Sequence, residues 1–256
     1  MSLTPELKNF LAETLLILGD DELILGHRDS EWCGHAPILE EDIAFANLAL
    51  DEIGHAMVWY GLLAELRDED PESYADQLVF QRDAADFRSA QFVELEKGDW
   101  AFSMIRQYLF DAAEMIRLKA LAESNYQPLA EAAGKIYKEE IYHYRHTSAW
   151  VRRLGLGTEE SQRRMQTALD SLWGYALGLF VPSDGETPLV VAGCIPSSEA
   201  VKSAWLEKVT AYLKDSGLTI PDSQPVGDDR KKHHESFTAL IEAMQRVARL
   251  DPTATW

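Results

Sequence analysis

Apolar residues recur at spacings of three and four over long windows, with few Gly or Pro inside them and almost no period-two alternation. The pattern predicts helices and no sheet. A first helix is expected from about Pro5 to Arg28, with Thr4 as N-cap and Pro5 in the first helical position. A second starts after Pro37 and runs to about Leu66, and a third covers Trp100 to Ser124. A short turn from Asn125 to Pro128 leads into a fourth, which ends near Leu154 before the stop signals Gly155 and Gly157. The acidic stretch between the second and third helices reads as a loop with short helical turns. Three further helices are expected at Glu159 to Phe180, Ser198 to Ser216 and Asp229 to Leu250, separated by loops rich in Pro, Gly, Ser and Asp. No linker interrupts the chain. The expected architecture is one all-α domain over residues 1–256, with a four-helix core at about 5–154 and peripheral helices at about 157–256.

Composition narrows the function. In 256 residues, 24 Lys and Arg face 43 Asp and Glu, a formal net charge of −19 that repels phosphate backbones and anionic membranes. Nucleic acid and membrane are therefore not expected partners. The two cysteines, Cys33 and Cys194, are too few for a disulfide framework or a thiolate metal site. No apolar run approaches the roughly 18 residues of a membrane span, and the N-terminus lacks the cationic and apolar regions of an export signal. A reducing cytoplasm is the expected compartment.

The chemistry lies in two Glu-x-x-His motifs, Glu52 to His55 on the second helix and Glu140 to His143 on the fourth. At i and i+3 a carboxylate and an imidazole share one helix face and can reach one metal. Their place in the hydrophobic pattern is the stronger signal. The second helix gives the seam Phe45, Leu48, Glu52, His55, Trp59, Leu62, Leu66; the fourth gives Leu129, Ala133, Ile136, Glu140, His143, Thr147, Trp150, Leu154. Ionisable groups on a core seam are costly unless paired or bound to a metal. On the first helix, Glu22 follows Leu11, Leu15 and Leu18 and precedes Leu25, whereas the frame through Asp21 passes Thr14 and Arg28. On the third, Asp111 lies in an apolar frame with Met104, Tyr108, Met115 and Leu118, while Glu114 shares a frame with Gln107 and Arg117 and stays in reserve. The candidate ligands are Glu22, Glu52, His55, Asp111, Glu140 and His143. This is the ligand set of a ferritin-like bundle holding two iron ions, or manganese in their place. The alternative is that these residues face solvent or form buried ion pairs with Arg106, Arg117 or Arg145.

With these residues in view, the chain resembles the PaaA/PaaC family of ferritin-like subunits of bacterial phenylacetyl-CoA epoxygenases. The likeness spans nearly the whole length and includes LGDDELILGHRDSEWCGHAPILEEDIAFANLALDEIGHA, RQYLFDAAEMIRLKALAES, KEEIYHYRHTSAWVRRLG, LWGYALGLF and the terminal Trp256. EWCGHAP is characteristic of the family's PaaC branch. The resemblance implies an enzyme that uses O₂ and reductant to epoxidise the ring of phenylacetyl-CoA, an aromatic acyl-CoA. Electrons would come from a separate flavin/iron–sulfur reductase, and a PaaA-type chain would be the partner. It also implies a homo- or hetero-oligomer. In that family the PaaA-type chain is catalytic and the PaaC-type chain is usually its structural partner, with several ligand positions replaced. Here the framework is similar to PaaC, but both metal motifs are similar to PaaA, and an aspartate in PaaA matches the position of Asp111.

Other features carry less. Cys33-Gly34-His35 reads as a packed loop cysteine beside a histidine, His27 as a surface or interface histidine, and five tryptophans (Trp59, Trp100, Trp150, Trp173, Trp205) as core or interface packing. Asp51 and Glu139 are expected to point away from the site. The basic run Arg230 to His234 is the basic start of a helix, a solvated loop, or a contact for CoA phosphates or an acidic partner protein. Three functions compete: an oxygenase component with its own di-iron site, a non-catalytic scaffold for such a component, and another ferritin-like oxidase or storage protein.

Overall fold

The computed structural model describes residues 3–227 and 229–251; Trp256 lies outside them. Helix α1 (Pro5–Ser30) begins as the sequence predicts, with Thr4 Oγ1 accepting the Leu7 N–H at 3.2 Å and Pro5 in the first turn. Helix α2 (Leu39–Leu66) has no side-chain cap, but Glu40, Glu41 and Asp42 place negative charge on its first turn, against the positive end of the helix dipole. The expected loop after α2 contains a full helix, α3 (Pro71–Phe80), capped by Asp70 on Ser73 N and held by buried Ala75, Leu78 and Val79. A single turn, α4 (Gln91–Glu94), precedes α5 (Trp100–Leu121) and α6 (Gln127–Gly155). Helices α7 (Glu159–Leu177), α8 (Glu186–Val191), α9 (Ser198–Asp215) and α10 (Phe237–Gln245) complete the described chain, and no strand occurs among the described residues.

Two differences from the sequence pattern have physical causes. Helix α8 occupies a segment expected as loop, where Leu189 is buried beneath it. Helix α10 starts eight residues later than Asp229, because the preceding basic run is pinned by acids of other elements instead of coiling. Arg230 Nη1 donates to both Asp21 oxygens at 2.9 Å. His233 Nδ1 donates to Glu94 Oε1 at 2.6 Å, and the His234 amide donates to Glu94 Oε2 at 2.6 Å.

The all-α, ferritin-like bundle consists of the pairs α1/α2 and α5/α6, joined where α2 meets α6, with α7 and α9 laid against α5. Its seams are the predicted ones. Phe45, Leu48, Glu52, His55, Trp59, Leu62 and Leu66 are all buried on α2, as are Leu129 through Thr147 of the predicted frame on α6. Beyond Thr147 the buried line moves to Val151 and Gly155 in place of Trp150 and Leu154, the drift expected when a helix of 3.6 residues per turn is followed by alternating steps of three and four. Among the described residues, no helix is long and apolar enough to cross a membrane.

Close approach of α1 to α2 depends on Gly19, where a Cβ would lie 2.4 Å from Tyr60 Cε1. The Tyr60 ring has little freedom to move, because its hydroxyl donates to the buried Asp20 carboxylate at 2.5 Å. Gly19→Ala should destabilise the fold by about 1–3 kcal/mol, read as a lower denaturant midpoint by circular dichroism.

Candidate metal centre

Each bundle helix brings ionisable side chains into the interior: Glu22 from α1, Glu52 and His55 from α2, Asp111 and Glu114 from α5, Glu140 and His143 from α6, all at most 3% exposed. Two buried groups form, Glu22 with Glu52 and His55, and Glu52 with Glu140 and His143; within each, one ligand atom per residue lies within 4.8 Å of the others. Glu52 belongs to both. His55 Nδ1 lies 3.5 Å from Glu52 Oε2 and 3.7 Å from Glu22 Oε2. His143 Nδ1 lies 3.2 Å from Glu140 Oε2 and 3.4 Å from Glu52 Oε1. The two imidazole rings are 5.7 Å apart between centroids.

The outer ring nitrogens are held across the bundle. His55 Nε2 donates to Glu139 Oε2 of α6 at 3.1 Å, and His143 Nε2 donates to Asp51 Oδ2 of α2 at 3.2 Å. Contrary to the sequence expectation, Asp51 and Glu139 are therefore part of the site, reaching it from the solvent edge with side chains 47% and 48% exposed. The available signal was an acid immediately before the glutamate in both motifs. With Nε2 protonated, a neutral imidazole aims the Nδ1 lone pair at carboxylate oxygens, which repels unless a proton or a cation lies between them.

Donors are scarce at the centre. Both oxygens of Glu22 and of Glu140, Oε2 of Glu52, and Nδ1 of His55 and His143 are buried without a hydrogen-bond partner. Two of the arginines proposed as alternatives are engaged elsewhere: Arg106 pairs with Asp29, and Arg117 with Glu114 Oε1. On α1, Asp20 accepts from Tyr60, Arg82 and the Arg88 amide, and Asp21 from Arg230 and the Ala90 amide. Of those three consecutive buried acids, Glu22 alone lacks a donor. An oxygen- and nitrogen-donor set with this much unbalanced negative charge suits divalent iron or manganese.

The α5 carboxylates differ from the others. Asp111 Oδ1 accepts from Gln107 Nε2 at 2.9 Å and Oδ2 from Thr147 Oγ1 at 2.6 Å, while Gln107 Nε2 also reaches Glu52 Oε1 at 2.7 Å. Glu114 keeps one buried oxygen, Oε2, without a donor. Neither residue belongs to the two close groups. Elsewhere, Cys33 is exposed and not packed, and His27 is partly buried.

Burial, then the charge of Glu52, raises the Glu22 pKa well above the usual carboxylate range, and burial likewise raises Asp111 and Glu140. Burial pushes Glu114 up to about 7. Burial alone would lower His55, but the close carboxylates of Glu22 and Glu52 overcome it and hold its pKa at about 11.

An all-α bundle with a buried carboxylate–histidine cluster defines the ferritin-like class of metal-carboxylate proteins. Within that class the chain belongs to the PaaA_PaaC family, described as phenylacetic acid catabolic protein, which it matches over residues 2–256. It is 36% identical over 250 residues to the C subunit of 1,2-phenylacetyl-CoA epoxidase from Escherichia coli K12, covering 97% of this chain and 100% of that protein. It is 23% identical over 211 residues to the A subunit of the same epoxidase, covering 80% of this chain and 67% of that protein.

The raised histidine fixes the sign of a pH effect in metal-free protein. The stabilisation from protonated His55 is complete below its unfolded pKa of about 6.5 and is lost as pH rises through about 11. Metal-free unfolding midpoints should therefore fall from neutral toward alkaline pH, and the His55→Gln variant should show a shallower fall over the same window in denaturant titrations.

Proposed function

We propose that this chain is a metal-bearing component of an epoxidase acting on phenylacetyl-CoA or a closely related aromatic acyl-CoA, and that it holds two iron ions. The carrying observation is the set of buried, donorless ligand atoms on Glu22, Glu52, Glu140, His55 and His143. One position would be held by Glu22, Glu52 and His55 and the other by Glu52, Glu140 and His143, and Asp111, outside these two close groups, is the carboxylate assigned to α5. Iron in such a site supplies activation of O₂ with electrons from a separate flavin/iron–sulfur reductase. The chain's own groups set the conditions. Glu139 and Asp51 fix the tautomer and orientation of the two imidazoles. The apolar seam residues Leu48, Trp59, Tyr108 and Ile136 keep bulk water from the centre.

A partner resembling the epoxidase's A subunit fits an outer surface of α2. Ile43, Leu50 and Met57 recur there every seven residues and are exposed, as are Leu39 at 72% and Tyr142 of α6 at 70%. A cytoplasmic setting accords with the two unpaired cysteines. A second reading, a scaffold that positions a catalytic partner, is favoured by the higher identity to the epoxidase's C subunit, which extends along that protein's whole length.

Anaerobic loading with Fe(II) followed by metal analysis tests the metal-bearing reading: about two irons per chain are expected, with a new visible or near-ultraviolet band on admitting O₂. Glu52→Ala and His143→Ala should each lose metal while keeping the helical circular dichroism spectrum; full retention by both would refute the ligand assignment. Asp51→Ala and Glu139→Ala should keep the stoichiometry but weaken metal affinity by about 10–100-fold in chelator competition.

A further inference from the structure

We propose that Gln107 and Thr147 are positioning residues that make the two metal positions unequal, by holding the α5 carboxylate of Asp111 in hydrogen bonds that a metal must compete with. The inference rests on the metal reading above. The two halves of the site otherwise match, since each has a Glu-x-x-His motif and each histidine is oriented by a carboxylate of the opposite motif helix. They differ in the remaining carboxylate. Glu22 on α1 offers two oxygens with no donor, whereas each Asp111 oxygen accepts a hydrogen bond, at 2.9 Å from Gln107 Nε2 and at 2.6 Å from Thr147 Oγ1.

The clamp is built. Gln107, Asp111 and Thr147 are each 0% exposed, so bulk solvent does not compete with these donors. Gln107 and Asp111 are one helical turn apart on α5, and Thr147 is one turn beyond His143 on α6, so the hydrogen bonds tie the two helices together beside the second metal position. Gln107 Nε2 also donates to Glu52 Oε1 at 2.7 Å, the oxygen nearest His143, so the same amide restrains the shared carboxylate on that side. Gln107 Oε1 is buried without a partner, which leaves the amide held through its donor end alone. These two charge-assisted hydrogen bonds draw electron density from Asp111 and fix its orientation, so it is a weaker donor to a cation than the donorless Glu22. The first ion should enter beside Glu22 and His55, and the second should bind more weakly beside Glu140 and His143.

Anaerobic calorimetric titration with Fe(II), repeated with Co(II) as an optical reporter, tests this on the full chain. The wild-type chain should take up two equivalents in separate steps, differing about tenfold or more in affinity. Thr147→Val keeps the side-chain shape and removes a hydroxyl that lies 2.6 Å from Asp111 and 3.0 Å from the backbone carbonyl of His143, both on the side of the second position, so it should tighten the second step by about tenfold and leave the first within about threefold. Gln107→Leu should also tighten the second step, with a smaller change in the first through Glu52. If Gln107→Leu does not fold, the Thr147→Val result decides alone. Two equal steps in the wild-type chain, or a second step unchanged or weakened in Thr147→Val, would overturn the clamp while leaving the di-metal site intact. No metal uptake by the wild-type chain would overturn both.

Discussion

The structure depends on an imbalance of charge at the centre of the bundle. Carboxylates from four helices meet in a dry interior where donors are nearly all assigned elsewhere. The surrounding acids receive close partners: Asp20 has Arg82, Asp21 has Arg230, Asp29 has Arg106, Glu94 has His233 and Glu114 has Arg117. These pairs are weak evidence for stability, since desolvation offsets much of their attraction. Their effect is to draw the buried guanidinium groups away from Glu22, Glu52 and Glu140. Those three carboxylates are left with two imidazoles, and protons or cations must complete the balance.

That imbalance explains how much of the site was legible from sequence. On α6 a polar outer face contrasts with an apolar inner one, so Glu140 and His143 stand out as charges on the wrong stripe, and on α2 Glu52 and His55 interrupt a buried apolar line; on α1, where residues 18–26 are all buried, only the apolar frame through Leu11, Leu15 and Leu18 favours Glu22 over Asp21. Helix α5 gives no such contrast. It is packed by α6 on one side and by α7 and α9 on others, and its residues from Ser103 through Glu114 are all buried. Asp111 and Glu114 therefore look alike by burial, and their difference lies in their hydrogen-bond partners, Gln107 and Thr147 for one and Arg117 for the other.

The missed residues fail for a related reason. Asp51 and Glu139 lie beside the seam, half exposed, where a single-helix frame assigns them to solvent. Their work is done across the bundle, on a histidine of another helix, and no periodicity within one helix encodes that. The basic run at 230–234 is the reverse case. Read locally it begins a helix, forms a solvated loop or offers a surface anion site; it forms a loop, and Arg230 and His233 are used by Asp21 and Glu94, acids from far earlier in the chain.

The exchange of carboxylates between the motif helices has a mechanical consequence. Asp51 reaches from α2 to a ring on α6, and Glu139 returns from α6 to a ring on α2, so the two helices are keyed at two points with opposite polarity. Sliding one helix pair past the other would break both links together, and a rotation that relaxed one would strain the second. Close-packed apolar side chains already fix register by shape; the crossed pair adds two directional links between α2 and α6, so the chemistry of the centre also bears on how the two halves of the bundle engage.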